Sequence, residues 1–461
     1  MSPNTAALTE LGRSIEGTLL TPDEAGYDEA RAVWNGMIDK RPLVIVQAQS
    51  VDDVAPVIAY ARSTGLPLAI RGGGHNVAGN GTVDDGIVLD LGRLDTVEVD
   101  PDARSVRVGA GAKLADVDAA TEPHGLAVPI GVVSGTGVAG LTLGGGVGWL
   151  TRQYGLTIDN LISADVVLAT GERVTASATE NEDLFWGLRG GGGNFGVVTA
   201  FTFRAYPLGP DVVAGALIYE QPRWTEALTS LVELSADLPD ELTTLITFMV
   251  PPPDWELGDR VLMFLGFAWA GSDRAEGEAT VDRIQAACPA DIPVREPTTW
   301  RTIQSGFDAA MPKGVRAYWR NAMFERFDAA MIDTLVDHCG RQTFGTAADL
   351  HHMGGAYGRV AEDETAFPVR SALFWLNIYG FWADAAEDTA RIAWVKGFSD
   401  AMRPYAMAGQ YVNFLGHDES DPQQKALAAY GPAKLERLVA LKRRYDPENL
   451  FRINHNIPPG T

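Results

Sequence analysis

Three runs of glycine and one histidine are the residues of this chain best suited to chemistry. Glycines 72–74, 144–146 and 190–193 each begin or end a strand-like segment, and His75 follows the first run directly in RGGGHNVAGNG, 71–81. A backbone without Cβ atoms lets N–H groups approach a phosphate or a flat ring closely. Several such loops meeting on one ligand describe a large cofactor with a pyrophosphate. Other patterns carry less. GTGVAG, Gly135–Gly140, has the letters of a dinucleotide fingerprint, with Asp159 at about the distance of a ribose-binding acid. The following LTLGGGVGWL puts three more glycines where the helix of that motif must begin, and each costs a helix interior about 1 kcal/mol relative to alanine. A nicotinamide-binding Rossmann unit is therefore not expected. The chain holds no G-x-x-x-x-G-K-[ST] phosphate loop. The pair His351–His352 lacks the spacing of a metal-ligand set, and so do Cys288 and Cys339, so no metal is expected.

The whole-chain numbers narrow the partners. The 461 residues exceed what one core organises, so two or three domains are expected. A hydrophobic fraction of 46% and a charged fraction of 21% are ordinary for a globular protein. The net charge of −23 repels phosphate backbones and anionic bilayers, so neither nucleic acid nor membrane is an expected partner. The start, MSPNTAALTELGRSIEG, has no basic and apolar leader pattern, and no apolar run reaches the length of a membrane span. The expectation is a soluble, cytoplasmic protein.

The elements that must position these residues follow from periodicity. Residues 1–40 read as mostly helical. PLVIVQAQS is a strand, VDDVAPVIAYARSTG a helix with Asp52 and Asp53 in its first turn and Gly65 as its stop, and LPLAIRGGG a strand running into the glycine loop. Further strands are expected in SADVVLATGERVTAS and NFGVVTAFTFRAY. PLGP, 207–210, is a turn and a domain boundary. Beyond it, LTTLITFMV, RVLMFLGFAWAG and SALFWLNIYGFW alternate with helices such as WTEALTSLVELSADL, which predicts an α+β domain with one broad sheet. KALAAYGPAKLERLVALKRRYDP is helical.

RGGGHNVAG, GVVSGTGVAGLTLGGGVGWLTRQYGLTIDNL, DLFWGLRGGGGNFGVVTAFTF, YVNFLG and YDPENLFRINHNIPP occur in an order that resembles the berberine-bridge-enzyme group of the VAO/PCMH flavoprotein superfamily. The resemblance spans nearly the whole chain and is weakest between about 210 and 350. It implies an α+β fold: a PCMH-type FAD-binding domain with N-terminal helices over 1–209, a substrate domain with a large antiparallel sheet over 210–410, and a C-terminal segment, 411–461, returning to the FAD domain. It implies FAD joined to His75 through the 8α-methyl. Many members add a thioether from a cysteine where this chain has Val133, so attachment through His75 alone is expected. The matching positions for the cofactor are Arg71, Gly72, Gly73, Gly74, Asn76 and Gly79, then Val133, Ser134, Thr136, Gly137 and Gly140, then Gly144, Gly145 and Gly148, then Asn194, Gly196 and Val198, and lastly Tyr411, Asn413 and Asn454.

The activity the resemblance implies is oxidation of a small organic alcohol, amine or polyketide-like substrate, with hydride passing to the flavin and electrons to O2. Tyr411 of YVNFLG is the candidate base, with Asn413 expected on the same face of a strand, while Phe414 replaces the motif's second tyrosine. Trp375, Asn377 and Tyr379 share one strand face and are candidates for a pocket wall bordered by His351 and His352. Tyr379 and His352 are the next candidates for the base. Thr136 stands beside the oxygen-reacting edge of the flavin. Two alternatives stay open: oxygen insertion through a flavin-N5-oxide, and flavin or drug binding without turnover.

Overall fold

In the computed structural model, residues 5–416 and 421–460 are described. The first glycine run is placed by a small mixed sheet. Val44–Gln47 pairs in parallel with Ile87–Asp90, which pairs in parallel with the edge strand Leu68–Arg71. These apolar runs are buried against the helix Val54–Thr64, which is preceded by a capped turn at Ser50–Asp53 and stops at Gly65 with φ +68°. The register sets Arg71 opposite Asp90, and the two close an ion pair of 2.8 Å. The chain then leaves the sheet edge directly into Gly72–His75.

Five antiparallel strands, in the order Val97–Asp100, Ser105–Gly109, Val197–Arg204, Leu161–Val167 and Arg173–Ser177, complete this half. Their apolar residues share one core with the first sheet and with Leu438, Leu441, Tyr445 and Ile457 near the C-terminus. The helix Pro422–Tyr445 is broken at Gly431, whose φ of 71° and ψ of 169° precede Pro432.

Two expectations need correction. Residues 1–40 are not mostly helical. They hold the helices Thr5–Ser14 and Tyr27–Arg31 separated by the strand Thr18–Leu20, which pairs with Val44–Gln47. A helix does begin within GTGVAG and run past it, at Val138–Gly144, because burial of Val138, Ala139 and Thr142 outweighs its glycine content. It belongs to no Rossmann unit. The strand before it, Leu126–Ala127, is two residues long and pairs antiparallel with Tyr206–Pro207.

The second half is built on an eight-stranded antiparallel sheet in which four neighbouring strands run Leu242–Met249, Thr346–His352, Phe374–Trp382 and, at the edge, Arg316–Phe324. One face is covered by Trp224–Leu234, Ala329–Cys339 and Asp388–Met402 in an apolar core. On the other face the register lines side chains up in rows across the four strands. Thr247, Asp349, Asn377 and Asn321 form a polar row. Leu245, His351, Trp375 and Met323 flank it on one side, and Met249, Ala347, Tyr379 and Trp319 on the other. Among the described residues no helix is long and apolar enough to cross a membrane, and no group of three or more His, Cys, Asp or Glu could hold a metal. Cys288 and Cys339 are buried free thiols.

Candidate active site

One continuous cavity runs from the glycine loops of the first half to the polar row of the second. Its near wall is mostly backbone. The segments around Gly73 and Gly137 touch main chain to main chain: a Cβ on Gly73 would stand 2.5 Å from the backbone of Gly137, and one on Gly137 would stand 2.3 Å from the nitrogen of Gly73. Only glycine allows this approach. Gly140 and Gly193 face empty space, with nothing within 4 Å of a Cβ built on either. Arg71 Nη1, Asn454 Oδ1 and His455 Nε2 are buried on the cavity lining without a hydrogen-bond partner among the described residues. Buried polar atoms without partners are costly, so these three await a polar ligand. His75 also lines the cavity, and burial pushes its pKa down to about 4, which keeps the imidazole neutral.

The far end is closed by residues 451–457. Asn454 Nδ2 donates to Gly193 O at 2.9 Å, and the Ile457 N–H donates to Asn194 Oδ1 at 3.0 Å. Lys442, with no exposed side-chain surface, donates to the carbonyls of Asn194 and Phe451 and to Asp446.

The wall opposite the glycines is built of side chains. Tyr411 precedes a single 3-10 turn, Val412–Phe414, and Asn321 grips its backbone at both the N–H and the carbonyl, at 3.0 and 3.1 Å. Its hydroxyl oxygen accepts from the Gly146 N–H at 3.0 Å and from Asn413 Nδ2 at 3.1 Å. Burial pushes its pKa up to about 12 against those two donors. The Asn413 amide lies on the Val138–Gly144 helix, where any Cβ on Gly144 would stand 2.3 Å from it. Asp349 lines the cavity while Thr247 Oγ1 donates to its Oδ1 at 2.7 Å and Tyr379 Oη to its Oδ2 at 3.0 Å. Burial pushes the Asp349 pKa up to about 6 despite these two donors. His351, two residues along, is held neutral by burial at about 4.

Residues 42–177 match the FAD binding domain family and residues 410–458 the berberine and berberine-like family. The (R)-6-hydroxynicotine oxidase of Paenarthrobacter nicotinovorans is 30% identical over 97% of both chains. The chain belongs to the berberine-bridge-enzyme-like FAD-linked oxidoreductases. The crystal structure of 6-hydroxy-D-nicotine oxidase from Arthrobacter nicotinovorans superposes with a TM-score of 0.86 at 27% identity, covering 97% of this chain and 99% of that one. The fold is also that of the glucooligosaccharide oxidase of Acremonium strictum, whose FAD is 6-S-cysteinyl, 8α-N1-histidyl; the TM-score is 0.87 at 23% identity over all of both chains. The VAO/PCMH-type α+β architecture and the enzymatic nature of this flavoprotein follow.

The glycine cradle, the orphaned polar atoms and the neutral His75 fit FAD. Of the residues expected at the cofactor, Arg71, Gly72, Gly73, Gly74, His75, Asn76, Val133, Thr136, Gly137, Gly140, Gly144, Asn194, Gly196, Val198, Tyr411, Asn413 and Asn454 line the cavity. Ser134, Gly79, Gly145 and Gly148 do not. Ser134 is bonded through its N–H and hydroxyl to Asp308. Gly79, at φ +73°, packs on Ile38, Gly145 on Phe367 and Tyr411, and Gly148 on the carbonyl of Ile130.

The substrate wall departs further from expectation. Tyr411 caps, and Asn413 sits on, a 3-10 turn rather than a strand, so they meet by hydrogen bonding and not by alternation. His352 faces away from the cavity, as the residue next to His351 must in a strand, and contacts Arg152 and Thr244. Tyr379 reaches the cavity only through Asp349. Trp375 packs 5.2 Å from the ring of Tyr411. Asp349, Trp319 and Met311 line the cavity and were not expected there. A signal for Asp349 existed: it is the one acidic residue in TAADLHH.

Proposed function

We propose that this flavoenzyme is an oxidase for a compact, ring-bearing alcohol or amine, with FAD held covalently through His75 alone and O2 as electron acceptor. The observation that carries the reading is His75 itself, a neutral imidazole lining the cavity at the end of the glycine strip. Val133, at the position of the second attachment in other members, offers no sulfur. Bound FAD would supply a two-electron acceptor for the substrate's hydride. The chain does the rest. Trp319, Phe414 and Met311 give the end of the cavity at the polar row apolar walls for a flat substrate. Asn377 Oδ1 is buried there without a partner among the described residues and can accept a substrate hydrogen bond.

The proton acceptor we assign is Asp349 rather than Tyr411. Asp349 is mostly ionised at neutral pH, and Tyr379 and Thr247 hold it in place. Tyr411 keeps its proton, and its oxygen already accepts two N–H groups, so its O–H is left to donate. The test is oxygen uptake against a panel of cyclic alcohols and amines, together with intact mass. Wild type should carry the mass of one FAD through acid precipitation, and His75→Ala should not. Release of FAD from wild type by acid would end the covalent reading.

A further inference from the structure

Trp34 lies in the irregular run between the helix Tyr27–Arg31 and the strand Val44–Gln47. It is buried, and its indole stacks on the imidazole of His75, with centroids 4.5 Å apart and planes 21° apart. The stack is held from both halves of the molecule. On the side of the first half, the Trp34 N–H donates to Gly74 O at 3.0 Å and Asn35 Nδ2 donates to Val77 O at 2.7 Å. On the side of the second, Trp34 Nε1 donates to Met311 O at 3.0 Å, Gly314 N–H donates to Trp34 O at 2.8 Å, and Asn35 exchanges two bonds with Ala317. Gly36 runs so close that a Cβ on it would stand 2.0 Å from Gly314 O. Trp34, Asn35 and Gly36 thus form a strap that joins the loop carrying His75 to the sheet domain. The indole is the one side chain of that strap laid flat on the histidine.

We infer that Trp34 is a positioning residue for covalent attachment, fixing the plane of the His75 ring so that a ring nitrogen meets the 8α carbon of FAD. The inference rests on the covalent reading above. In the attachment, His75 forms an N–C bond to the 8α carbon. The imidazole N–H loses a proton and the 8-methyl loses a hydrogen, the electron pair of that C–H bond passes into the isoalloxazine, and O2 carries it away as H2O2. A ring free to turn about its Cα–Cβ and Cβ–Cγ bonds meets that carbon in line only part of the time. A stacked aromatic plane removes those rotations before the cofactor arrives. The same contacts make the geometry depend on docking of the second half, since the Met311 carbonyl holds the indole.

The experiment uses full-length protein prepared without flavin and then given FAD. Two quantities are followed: FAD held before acid treatment, and acid-stable flavin against time. Trp34→Phe keeps a ring over His75, while Trp34→Leu fills the space without one. The leucine variant should attach FAD at least about tenfold more slowly than wild type while still binding it beforehand, and the phenylalanine variant should attach at close to the wild-type rate. Attachment at the wild-type rate in Trp34→Leu overturns the inference. So does a loss of attachment that merely parallels a loss of FAD binding in both variants, since that is what a core residue would give. Acid-labile flavin in wild type fails in a different place: it removes the covalent reading, and the inference with it.

Discussion

The two walls of the cavity are made by opposite means. The cofactor wall is backbone, shaped by deleting side chains: Gly73 against Gly137, Gly140 and Gly193 onto open space, Gly144 under Asn413. The opposite wall, to which we assign the substrate, is side chain, shaped by register: Asp349 and Asn377 face the cavity from one row, with Thr247 holding Asp349 and Asn321 holding the Tyr411 backbone. A wall of glycine has little room to vary, because any Cβ at the contact collides with main chain. A wall of alternate strand residues can be rewritten position by position without moving the sheet. Recognition of a shared cofactor and of a private substrate are thereby separated.

Substitutions at each wall sharpen or break this contrast. The largest effect is expected at Asp349. Asp349→Asn should slow anaerobic flavin reduction by a true substrate by about 10²–10⁴-fold while leaving FAD content unchanged. The wild-type rate should rise with pH through about 6, where the carboxyl ionises, and that limb should be missing from the variant. Loss of flavin from Asp349→Asn would mean that the walls are not separable. Gly137→Ala should do the reverse. It forces the two loops apart, should lower stability by about 1–3 kcal/mol, and should release FAD retention rather than catalysis alone. Thermal unfolding and flavin content measure both. If Gly137→Ala left both unchanged, the backbone contact would not be what shapes the cradle.

Tyr411→Phe belongs to neither wall alone, since its hydroxyl bridges Gly146 and Asn413. Losing it should slow flavin reduction by about tenfold, the scale of one hydrogen bond. A loss matching that of Asp349→Asn would return the role of proton acceptor to Tyr411. A further effect is on stability against pH. Asp349 has a folded pKa raised to about 6, so the folded state holds its proton more tightly than the unfolded chain does. That contribution is complete below about pH 4 and is lost as pH rises through about 6. Asp349→Asn should therefore melt above wild type at pH 8, and the gap should close toward pH 4.

The same contrast explains what could be read from the sequence. Glycine runs carry their geometry in their letters, so His75 and most of the cradle were legible before any coordinates. The sheet strands were legible too, since their apolar runs are long. Which strands lie side by side is a matter of pairing between residues a hundred positions apart, such as Thr247 with Asp349. No local pattern records it, and so Asp349 was missed and His352 was preferred to His351. Trp34 was silent for the same reason: its partners His75 and Met311 lie far along the chain.

Lys442 and the residues after it complete the cavity from far along the chain. The carbonyls of Asn194 and Phe451, the Asn454 amide and the Ile457 N–H all meet there, long after His75 has left the ribosome. Domains fold in the order in which they emerge, yet this one does not close its cofactor cleft until residues 442–457 arrive. A chain stopped before Lys442 therefore has a glycine cradle with no far end. On the covalent reading proposed above, yellow colour that survives acid would mark chains that extend through these residues.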